Sequence, residues 1–355
     1  MFSLEGKTVL ITGGTGSFGK KCCQILLKHA QLKRLIVLSR DEQKHVSMRR
    51  DYFPPDQFPE IRYFVGDVRD PDRLKRAFQG VDYVIHAAAM KHVDVAEYNP
   101  QECIRTNIQG AENVITACLD AGVKKVVALS TDKAANPINL YGATKLCSDK
   151  LFVAANSLGG EQGTRFAVVR YGNVLGSNGS VVPFFKKLAA QGELPLTDPR
   201  MTRFIITLDQ GVQFVINSFR KMVGGEVFVP KIPSVTLQDI AEAVVPGCKT
   251  RIVGIRPGEK LHECMVPEDE ARRTLEFKDH FIIQPTLRFW TDHEPEYVRQ
   301  GRPCGDGFSY SSESNSEWMD ALQMRELIER EEAESLALTE SLKTRVRTPS
   351  LRVAG

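Results

Sequence analysis

A glycine-rich turn near the N-terminus constrains the fold of this chain more than any other feature. The apolar run at residues 8–11 leads directly into residues 12–19, which read TGGTGSFG. Glycines at this junction allow a tight turn and let backbone amides approach a pyrophosphate, and the N-terminus of the following helix favours an anion. The pattern therefore predicts a dinucleotide-binding strand, turn and helix at the start of the chain.

Short apolar runs recur downstream and alternate with longer, more polar segments. They occupy residues 35–38, 63–65, 83–86, 126–129 and 166–169. Residues 103–121, between two of these runs, have the apolar periodicity of a helix. Buried parallel strands have this apolar character, and their alternation with helices is typical of a doubly wound fold. The sequence therefore predicts the α/β class, with a Rossmann-type doubly wound parallel sheet.

Glycine, proline and serine interrupt the chain more often after residue 171, which indicates a second lobe. We expect residues 1–172 to form the cofactor-binding Rossmann domain, with residues 204–230 returning to it. A smaller substrate-binding lobe is predicted over residues 173–310. Residues 311–355 are predicted to form a C-terminal helix and a mobile tail.

Composition excludes several classes of partner. The 355 residues include 47 basic and 44 acidic side chains, and a net charge of +3 gives no field that would favour nucleic acid or a membrane surface. No apolar stretch approaches the roughly 18 residues of a membrane span, and no secretory signal is recognisable. The eight cysteines lack metal-ligand spacing. We therefore expect reduced thiols, no metal, a small-molecule substrate and a cytoplasmic location.

Residues at the ends of the first four predicted strands are candidates to bind the cofactor. They are Gly13, Thr15, Gly16, Ser17, Phe18 and Gly19 in the turn, Ser39 and Arg40 after the second strand, Asp67 and Val68 after the third, and Ala87, Ala88, Ala89 and Lys91 after the fourth. Tyr141 and Lys145, further along the chain, are predicted to contact the cofactor as well. Asp67 is placed to reach the adenine, and the alanines leave room for the cofactor backbone. The alanines would also suit simple helix–sheet packing.

The end of the second predicted strand bears on the choice between NAD and NADP. An acidic residue about twenty positions after the glycines would bind the ribose 2′-hydroxyl of NAD, but Ser39 and Arg40 stand there instead. A guanidinium matches a 2′-phosphate in a bidentate way. Asp41 and Glu42 follow immediately and weaken the charge argument. The sequence favours NADP over NAD.

A cluster of polar residues follows the fifth predicted strand, at the edge of the sheet where such folds bind ligands. Thr131, Asp132 and Lys133 end the strand, and Tyr141 and Lys145 lie four apart on one face of the next helix. A tyrosine with a pKa near 10 becomes a base at pH 7 only with roughly 4 kcal/mol of differential stabilisation, which a lysine ammonium and a nicotinamide ring could supply.

Asp132 and Lys133 are the unusual members of this cluster. Hydride transfer at one carbon needs only the hydroxyl, the tyrosine and the lysine, whereas a dehydration also needs a further base and a further acid. An ordinary surface ion pair is the alternative interpretation of these two residues.

Residues 12–19 together with Tyr141-x-x-x-Lys145 resemble the extended short-chain dehydrogenase/reductase family. The closer resemblance is to the inverting UDP-N-acetylglucosamine 4,6-dehydratases that begin pseudaminic acid biosynthesis in bacteria. It covers nearly all of residues 7–285 and is most specific at 130–150, because the glycine-rich turn alone fits many families. The resemblance implies UDP-N-acetylglucosamine as substrate and a homo-oligomer, with a hexamer as one form.

The resemblance also implies a role for each residue of the polar cluster. Tyr141 deprotonates the sugar 4-hydroxyl while hydride passes from C4 to the cofactor. The 4-ketone acidifies C5, Lys133 takes the C5 proton, and Asp132 protonates the departing 6-hydroxyl. Hydride then returns to C6, and protonation of C5 from the opposite face inverts it. The implied product is UDP-2-acetamido-2,6-dideoxy-β-L-arabino-hex-4-ulose.

Further residues resemble the family's contacts with the nucleotide sugar. They are Lys91, Asn173, Val181, Val182, Lys186, Thr197, Arg256 and Glu259. Lys186 and Arg256 are of the type that binds a diphosphate, although each would also suit an exposed surface.

Other functions stay open at this point. A retaining 4,6-dehydratase or a C4 epimerase of a UDP-sugar would share the fold. Asp132 and Lys133 argue against the epimerase, but stereochemistry at C5 does not follow from the sequence. A non-catalytic NADP-binding regulator or scaffold would not need the Tyr141 and Lys145 that this chain has.

Overall fold

The computed structural model describes residues 3–160, 163–177, 181–189, 192–287 and 294–347. Its strands in chain order are β1 (Thr8–Thr12), β2 (Arg34–Ser39), β3 (Ile61–Val65), β4 (Tyr83–His86), β5 (Lys125–Thr131), β6 (Arg165–Tyr171), β7 (Asn173–Val174), β8 (Glu193–Leu196), β9 (Thr202–Ile206), β10 (Val227–Pro230), β11 (Ser234–Thr236), β12 (Lys249–Ile252), β13 (Cys264–Val266), β14 (Thr274–Glu276), β15 (His280–Ile283), β16 (Arg302–Pro303) and β17 (Tyr310–Ser311).

Helices connect these strands and cover the main sheet. In chain order they are α1 (Ser17–His29), α2 (Glu42–Asp51), α3 (Pro71–Ala77), α4 (Val93–Tyr98), α5 (Pro100–Ile104), α6 (Gly110–Asp120), α7 (Leu140–Ala154), α8 (Val181–Leu188), α9 (Leu208–Lys221), α10 (Leu237–Val244), α11 (Glu268–Ala271), α12 (Glu296–Gln300) and α13 (Ala321–Arg347). None of the helices in the described ranges is both long and apolar enough to cross a bilayer.

The main sheet has the order β16-β14-β15-β10-β6-β5-β4-β1-β2-β3 within the described residues. Its strands are parallel from β3 through β10. Both β1 and β4 are buried along their whole length, because α1 and α9 form one helical layer and α3, α6 and α7 form the other. This architecture confirms the predicted doubly wound α/β sheet.

The helix predicted over residues 103–121 is interrupted in the structure. A π-helical turn at Arg105–Gln109 separates α5 from α6. The apolar periodicity did not reveal it, because apolar residues still recur at spacings of four and three across this turn, at Ile104, Ile108 and Ala111. Such turns often occur at functional sites, and this one places Asn107 beneath the candidate active site.

The second half of the chain does not form one separate lobe. Strand β10 adds to the parallel sheet beside β6, and the antiparallel strands β15, β14 and β16 extend that edge. Three of these strands, β14 to β16, come from the range predicted as substrate lobe (173–310), because the edge of β10 needed hydrogen-bond partners. Elements α8, β8, β11 and α10 contribute to a second apolar core around Val182, Leu194, Val235 and Ile240.

Helix α13 closes that second core. Met324, Leu327 and Ile328 are buried in it and the helix packs against α10. The range predicted as C-terminal helix and mobile tail (311–355) thus begins with strand β17 and continues in a packed helix. Residues 348–355 of the predicted tail lie outside the described residues.

Candidate active site

A cavity of about 700 Å³ opens at the carboxyl ends of β1 to β6. It is lined by every residue predicted to bind the cofactor and every residue predicted to be catalytic, namely Gly13, Thr15, Gly16, Ser17, Phe18, Gly19, Ser39, Arg40, Asp67, Val68, Ala87, Ala88, Ala89, Lys91, Thr131, Asp132, Lys133, Tyr141 and Lys145. Asn173, predicted to contact substrate, lines it as well. The structure therefore brings residues from seven segments of the chain to one place.

The glycine-rich turn packs tightly against the end of β4. Gly13 has a φ of +67°, and a Cβ added there would lie 2.9 Å from the backbone N and Cα of Ala88. Only glycine satisfies both the left-handed conformation and this close approach. Thr15 Oγ1 donates to Ser39 Oγ at 2.8 Å and so ties the turn to the end of β2.

A buried histidine lies below this turn. His86 Nδ1 lies 2.8 Å from Thr12 Oγ1, and the same hydroxyl accepts from the backbone N–H groups of Ala87 and Ala88. Burial, with a smaller contribution from Lys145, lowers the pKa of His86 to about 3. The imidazole is therefore neutral at physiological pH and holds the ends of β1 and β4 together.

Charged side chains surround the end of the cavity next to β2 and β3. Asp67 accepts from the Arg69 guanidinium at 3.0 and 2.7 Å, and Arg40 Nη1 lies 3.9 Å from the same carboxylate. Asp41 instead caps α2 by accepting from the backbone N–H of Lys44 at 3.0 Å, and its carboxylate pairs with the Lys44 ammonium. The charge of Asp41 is thus compensated locally by Lys44.

The end of β5 presents three functional side chains in succession. Thr131 Oγ1 donates to Asp132 Oδ1 at 2.8 Å and accepts from the backbone N–H of Lys133 at 3.3 Å. Asp132 is 1% exposed, and its second oxygen, Oδ2, has no hydrogen-bond partner among the described residues. An unpartnered carboxylate oxygen beside a cavity is available to a substrate hydroxyl.

The first turn of α7 sets the position of Tyr141 against β5. Asn139 Oδ1 accepts from the backbone N–H of Gly142 at 2.7 Å and caps the helix. A Cβ on Gly142 would lie 2.2 Å from the carbonyl oxygen of Lys133, so only glycine allows this approach. Tyr141 and Lys145 then lie on the cavity side of the helix, as their spacing predicted.

In the protein without cofactor, Tyr141 does not have the lowered pKa that a base at pH 7 needs. Burial raises the pKa of Tyr141 to about 12, although Lys133 and a hydrogen bond with Thr131 act in the other direction. Burial also lowers the pKa of Lys145, against the opposing charge of Asp149. A positive nicotinamide ring beside the phenol would lower this raised pKa.

Lys133 lies between two carboxylates. Its Nζ is 3.2 Å from Asp132 Oδ1 and 3.2 Å from Glu263 Oε1, and Glu263 is 2% exposed. Burial opposes the charge of Lys133, but the two carboxylates together hold its pKa above the ordinary lysine value. Asp132 and Lys133 are therefore not the ordinary surface ion pair considered as an alternative. Glu263 was not identified from the sequence.

Asn107 was also not identified from the sequence as part of the site. Its amide accepts from Met90 N at 2.8 Å, and donates to Met90 O and to Thr144 Oγ1, both at 3.0 Å. It thus joins the loop after β4 to the helix that carries Tyr141. A polar residue within an apolar helical pattern was the available signal.

Six predicted substrate residues lie away from the cavity lining of the described structure. Val182 is buried in the second core, and the Lys186 ammonium pairs with Glu332 of α13. Thr197 donates to the sulfur of Met201, and Arg256 pairs with Glu259 at 3.8 Å on an exposed loop. Val181 packs against the second core. The polar and charged side chains among these residues are therefore satisfied by local partners.

The family model of the polysaccharide biosynthesis proteins matches residues 9–285. This chain belongs to that family. The match includes the glycine-rich turn, the end of β5 and the start of α7, and it extends through β15.

Curated relatives of this chain are named for two different activities. The chain is 54% identical over 329 residues to a UDP-N-acetylglucosamine 4,6-dehydratase (inverting) of Campylobacter jejuni, which covers 91% of this chain and 97% of the relative. It is 40% identical over 285 residues to a UDP-glucose 4-epimerase of Rickettsia massiliae, which covers 78% of this chain and 82% of the relative. The resemblance to the inverting dehydratases is thereby confirmed.

Solved structures show the same fold. Pen from Bacillus thuringiensis matches with a TM-score of 0.84 and 36% identity, over 94% of this chain and 99% of Pen. DesIV, a dTDP-glucose 4,6-dehydratase from Streptomyces venezuelae solved with NAD and TYD bound, matches with a TM-score of 0.65 and 20% identity, over 94% and 99% of the two chains. The second likeness supports the Rossmann fold alone.

Proposed function

We propose that this protein is a C5-inverting UDP-N-acetylglucosamine 4,6-dehydratase that uses NADP. The observation that carries the proposal is the grouping of Thr131, Asp132, Lys133 and Tyr141 around the cavity that the glycine-rich turn also lines. The same activity is named for the Campylobacter jejuni relative at 54% identity. An acid, a base and a hydride site in one cavity are what an internal dehydration requires.

The lining of the cavity fits a nicotinamide dinucleotide. The close approach of Gly13 to Ala88 leaves backbone at the surface where a pyrophosphate would lie, and α1 begins at Ser17 with its N-terminus toward the same space. Thr106 Oγ1 and Asn173 Oδ1 are buried at the cavity without partners among the described residues. When bound, the cofactor accepts a hydride from C4 of the sugar and returns it to C6.

Arg40 supports NADP over NAD. It lines the cavity beside Ser39, and the neighbouring Asp41 is engaged at the N-terminus of α2 and paired with Lys44. A 2′-phosphate would meet the Arg40 guanidinium there, whereas a 2′-hydroxyl would not use it. DesIV binds NAD, but at 20% identity it does not decide cofactor choice in this chain.

Tyr141 and Lys145 handle the proton of the first step. Tyr141 takes the proton of the sugar 4-hydroxyl as C4 is oxidised, with Thr131 hydrogen-bonded to its phenol. Lys145 is buried one helical turn further along α7 and lines the same cavity, where its ammonium would favour the deprotonated phenol. A general base in this arrangement contributes about 10²–10⁴-fold to a rate.

Asp132 and Lys133 perform the elimination and share one proton in the resting site. Transfer of that proton from the Lys133 ammonium to the Asp132 carboxylate gives a neutral amine and a carboxylic acid. The amine then takes the C5 proton as the acid protonates the departing 6-hydroxyl, so water leaves and the pair returns to its resting charge. Hydride addition at C6 and protonation at C5 complete the product. The two enzyme protons gained from O4 and C5 equal the two given to water and C5.

An epimerase is the second candidate, because the Rickettsia massiliae relative is named a UDP-glucose 4-epimerase. Epimerisation at C4 leaves the C5 and C6 bonds intact and gives Asp132 and Lys133 no proton to move. Their position at the cavity therefore favours dehydration. From the resemblance to the inverting dehydratases, we also propose that the protein is cytoplasmic, that it forms a homo-oligomer such as a hexamer, and that its product enters pseudaminic acid biosynthesis.

One isotope experiment tests the proposal. UDP-N-acetylglucosamine deuterated at C4 should give a product that carries the deuterium at C6, and in deuterated water C5 should acquire solvent deuterium. NMR coupling constants should show the L-arabino configuration at C5. A D-xylo product would leave a dehydratase but overturn inversion. A 4-epimer that keeps its 6-hydroxyl would overturn the roles of Asp132 and Lys133, and absence of any product would favour a binding protein.

A further inference from the structure

We propose that Glu263 is a positioning residue for Lys133, and that it keeps the Asp132–Lys133 pair loaded with the one proton that elimination requires. The inference rests on the proposed dehydratase function. It concerns a carboxylate that does not line the cavity and comes from a segment 130 residues after Lys133 in the chain.

The position of Glu263 is determined by its backbone. Its N–H donates to Ser312 Oγ at 2.9 Å, and its carbonyl accepts from Ser312 N at 2.8 Å, where β13 begins beside β17. Ser312 Oγ in turn lies 2.7 Å from Thr202 Oγ1 on β9. The carboxylate is thus presented to Lys133 by three strands, with little freedom to follow a moving partner.

The side-chain contacts of Glu263 are directed at Lys133. Oε1 lies 3.2 Å from Lys133 Nζ and 3.8 Å from Arg203 Nε. Oε2 is buried and has no hydrogen-bond partner within the part of the chain that the structure describes. A carboxylate buried this deeply is costly unless cations compensate it, and the nearer of its two cations is Lys133.

Because two carboxylates contact one ammonium, Lys133 does not titrate independently of Asp132 and Glu263. Asp132 and Lys133 need one proton between them, because the reactive form carries it on Asp132 and the resting form on Lys133. The negative charge of Glu263 strengthens proton binding by the pair and so raises the pH at which the pair becomes empty. The charged and titratable groups that face Lys133 are Asp132, Tyr141, Arg203, Lys260 and Glu263.

Glu263 also couples the two halves of the protein. Lys133 follows β5 of the main sheet, whereas Glu263 precedes β13 and is fixed by β17. Lys260 reinforces the junction by donating from Nζ to Ala135 O at 2.5 Å. The protonation of Asp132 and Lys133 therefore depends on how the segment that contains β13 packs against the end of β5. That segment contributes no residue to the glycine-rich turn.

The test compares Glu263→Gln with Glu263→Asp in the full-length protein with NADP and UDP-N-acetylglucosamine. In E263Q we expect product formation to fall on the order of tenfold or more, because Lys133 loses the carboxylate that positions its nitrogen. The alkaline limb of its pH profile should move to lower pH, because the pair loses its proton more readily. C4 oxidation should persist, so reduced cofactor should accumulate in single turnovers. E263D should recover part of the rate and of the alkaline limb.

Two comparisons separate this proposal from a merely structural role. Glu226→Gln removes another buried carboxylate, which accepts from the backbone N–H groups of Val223 and Gly224, and should leave the pH profile unchanged even where stability falls. K133M should stop elimination at every pH. An E263Q enzyme with a wild-type alkaline limb and no accumulation of reduced cofactor would overturn the proposal. Wild-type protein that fails to dehydrate the sugar would instead overturn the proposed function.

Discussion

The carbonyl oxygen of Lys133 occupies the space beside Gly142, 2.2 Å from where a Cβ on that glycine would lie. This contact holds the first turn of α7 against the end of β5 and so sets the distance between Tyr141 and Lys133. Gly142→Ala should therefore displace both side chains and lower kcat about a hundredfold, because an error near 1 Å has that effect on positioned groups.

Gly211→Ala is the matched control for that variant. Gly211 lies inside α9, and a Cβ there would meet no atom within 4 Å. It should leave kcat unchanged and raise the free energy of unfolding by up to about 1 kcal/mol. Steady-state kinetics and urea denaturation of both variants measure the difference. Equal activity of the two would show that the Lys133 carbonyl can move at no cost.

Arg40→Ala should weaken NADP far more than NAD. The substitution removes a charge-assisted contact that only the 2′-phosphate can make, which corresponds to roughly ten- to hundredfold in the dissociation constant of NADP. Isothermal calorimetry with both cofactors measures it. Arg50→Ala, at the far end of α2 where Arg50 pairs with Asp51, should change neither. An equal loss for both cofactors in Arg40→Ala would deny Arg40 a selective role.

His86 should make the fold sensitive to acid. Its pKa is about 3 in the folded protein and near 6.5 when unfolded. Below pH 6.5 the unfolded chain binds the extra proton, so stability is lost as pH falls, by about 2 kcal/mol from this group at pH 5. His86→Gln should be less stable at pH 7 but lose less between pH 7 and pH 5 in urea denaturation. His29→Gln, at an exposed position, should keep the wild-type dependence, and parallel curves for all three proteins would contradict this account.

Helix α13 should contribute to stability through its buried face. Met324 is 0% exposed whereas Leu322, two residues earlier on the same helix, is 61% exposed. Met324→Ala should lower the free energy of unfolding by about 2–4 kcal/mol, and Leu322→Ala should stay within about 0.5 kcal/mol of the wild type. Urea denaturation gives both values. Similar values for the two variants would mean that α13 is not part of the cooperative unit.

Local sequence patterns were sufficient to predict the residues of the cofactor-binding half of the site. The glycine-rich turn and the Tyr141–Lys145 spacing each lie within one strand–turn–helix unit, so their geometry follows from short-range rules. The ends of parallel strands then meet at one edge, which is why Asp67, Ala88 and Thr131 could be placed beside the same cavity from the sequence.

Short-range rules could not predict which distant segments of the chain pair with one another. Glu263 reaches Lys133 only because β13 pairs with β17, and that antiparallel contact leaves no periodic signal in either segment. Lys186 and Arg256 have the charge that a diphosphate needs, but the sequence does not show that Glu332 and Glu259 lie next to them. The same is true of β14 to β16, whose short apolar runs gave no indication of which sheet they would join.

The order of strands in the main sheet has a consequence for synthesis on the ribosome. β6 pairs with β5 on one side and on the other with β10, which is translated only after the whole β7–α9 region. Until β10 emerges, the apolar edge at residues 166–169 has no partner, and such an edge can pair with another nascent chain. Premature stop codons between β6 and β10 should therefore yield aggregating fragments instead of a free cofactor domain, and exchange of the substrate-binding segments between relatives has to preserve the C-terminal strands that close the sheet.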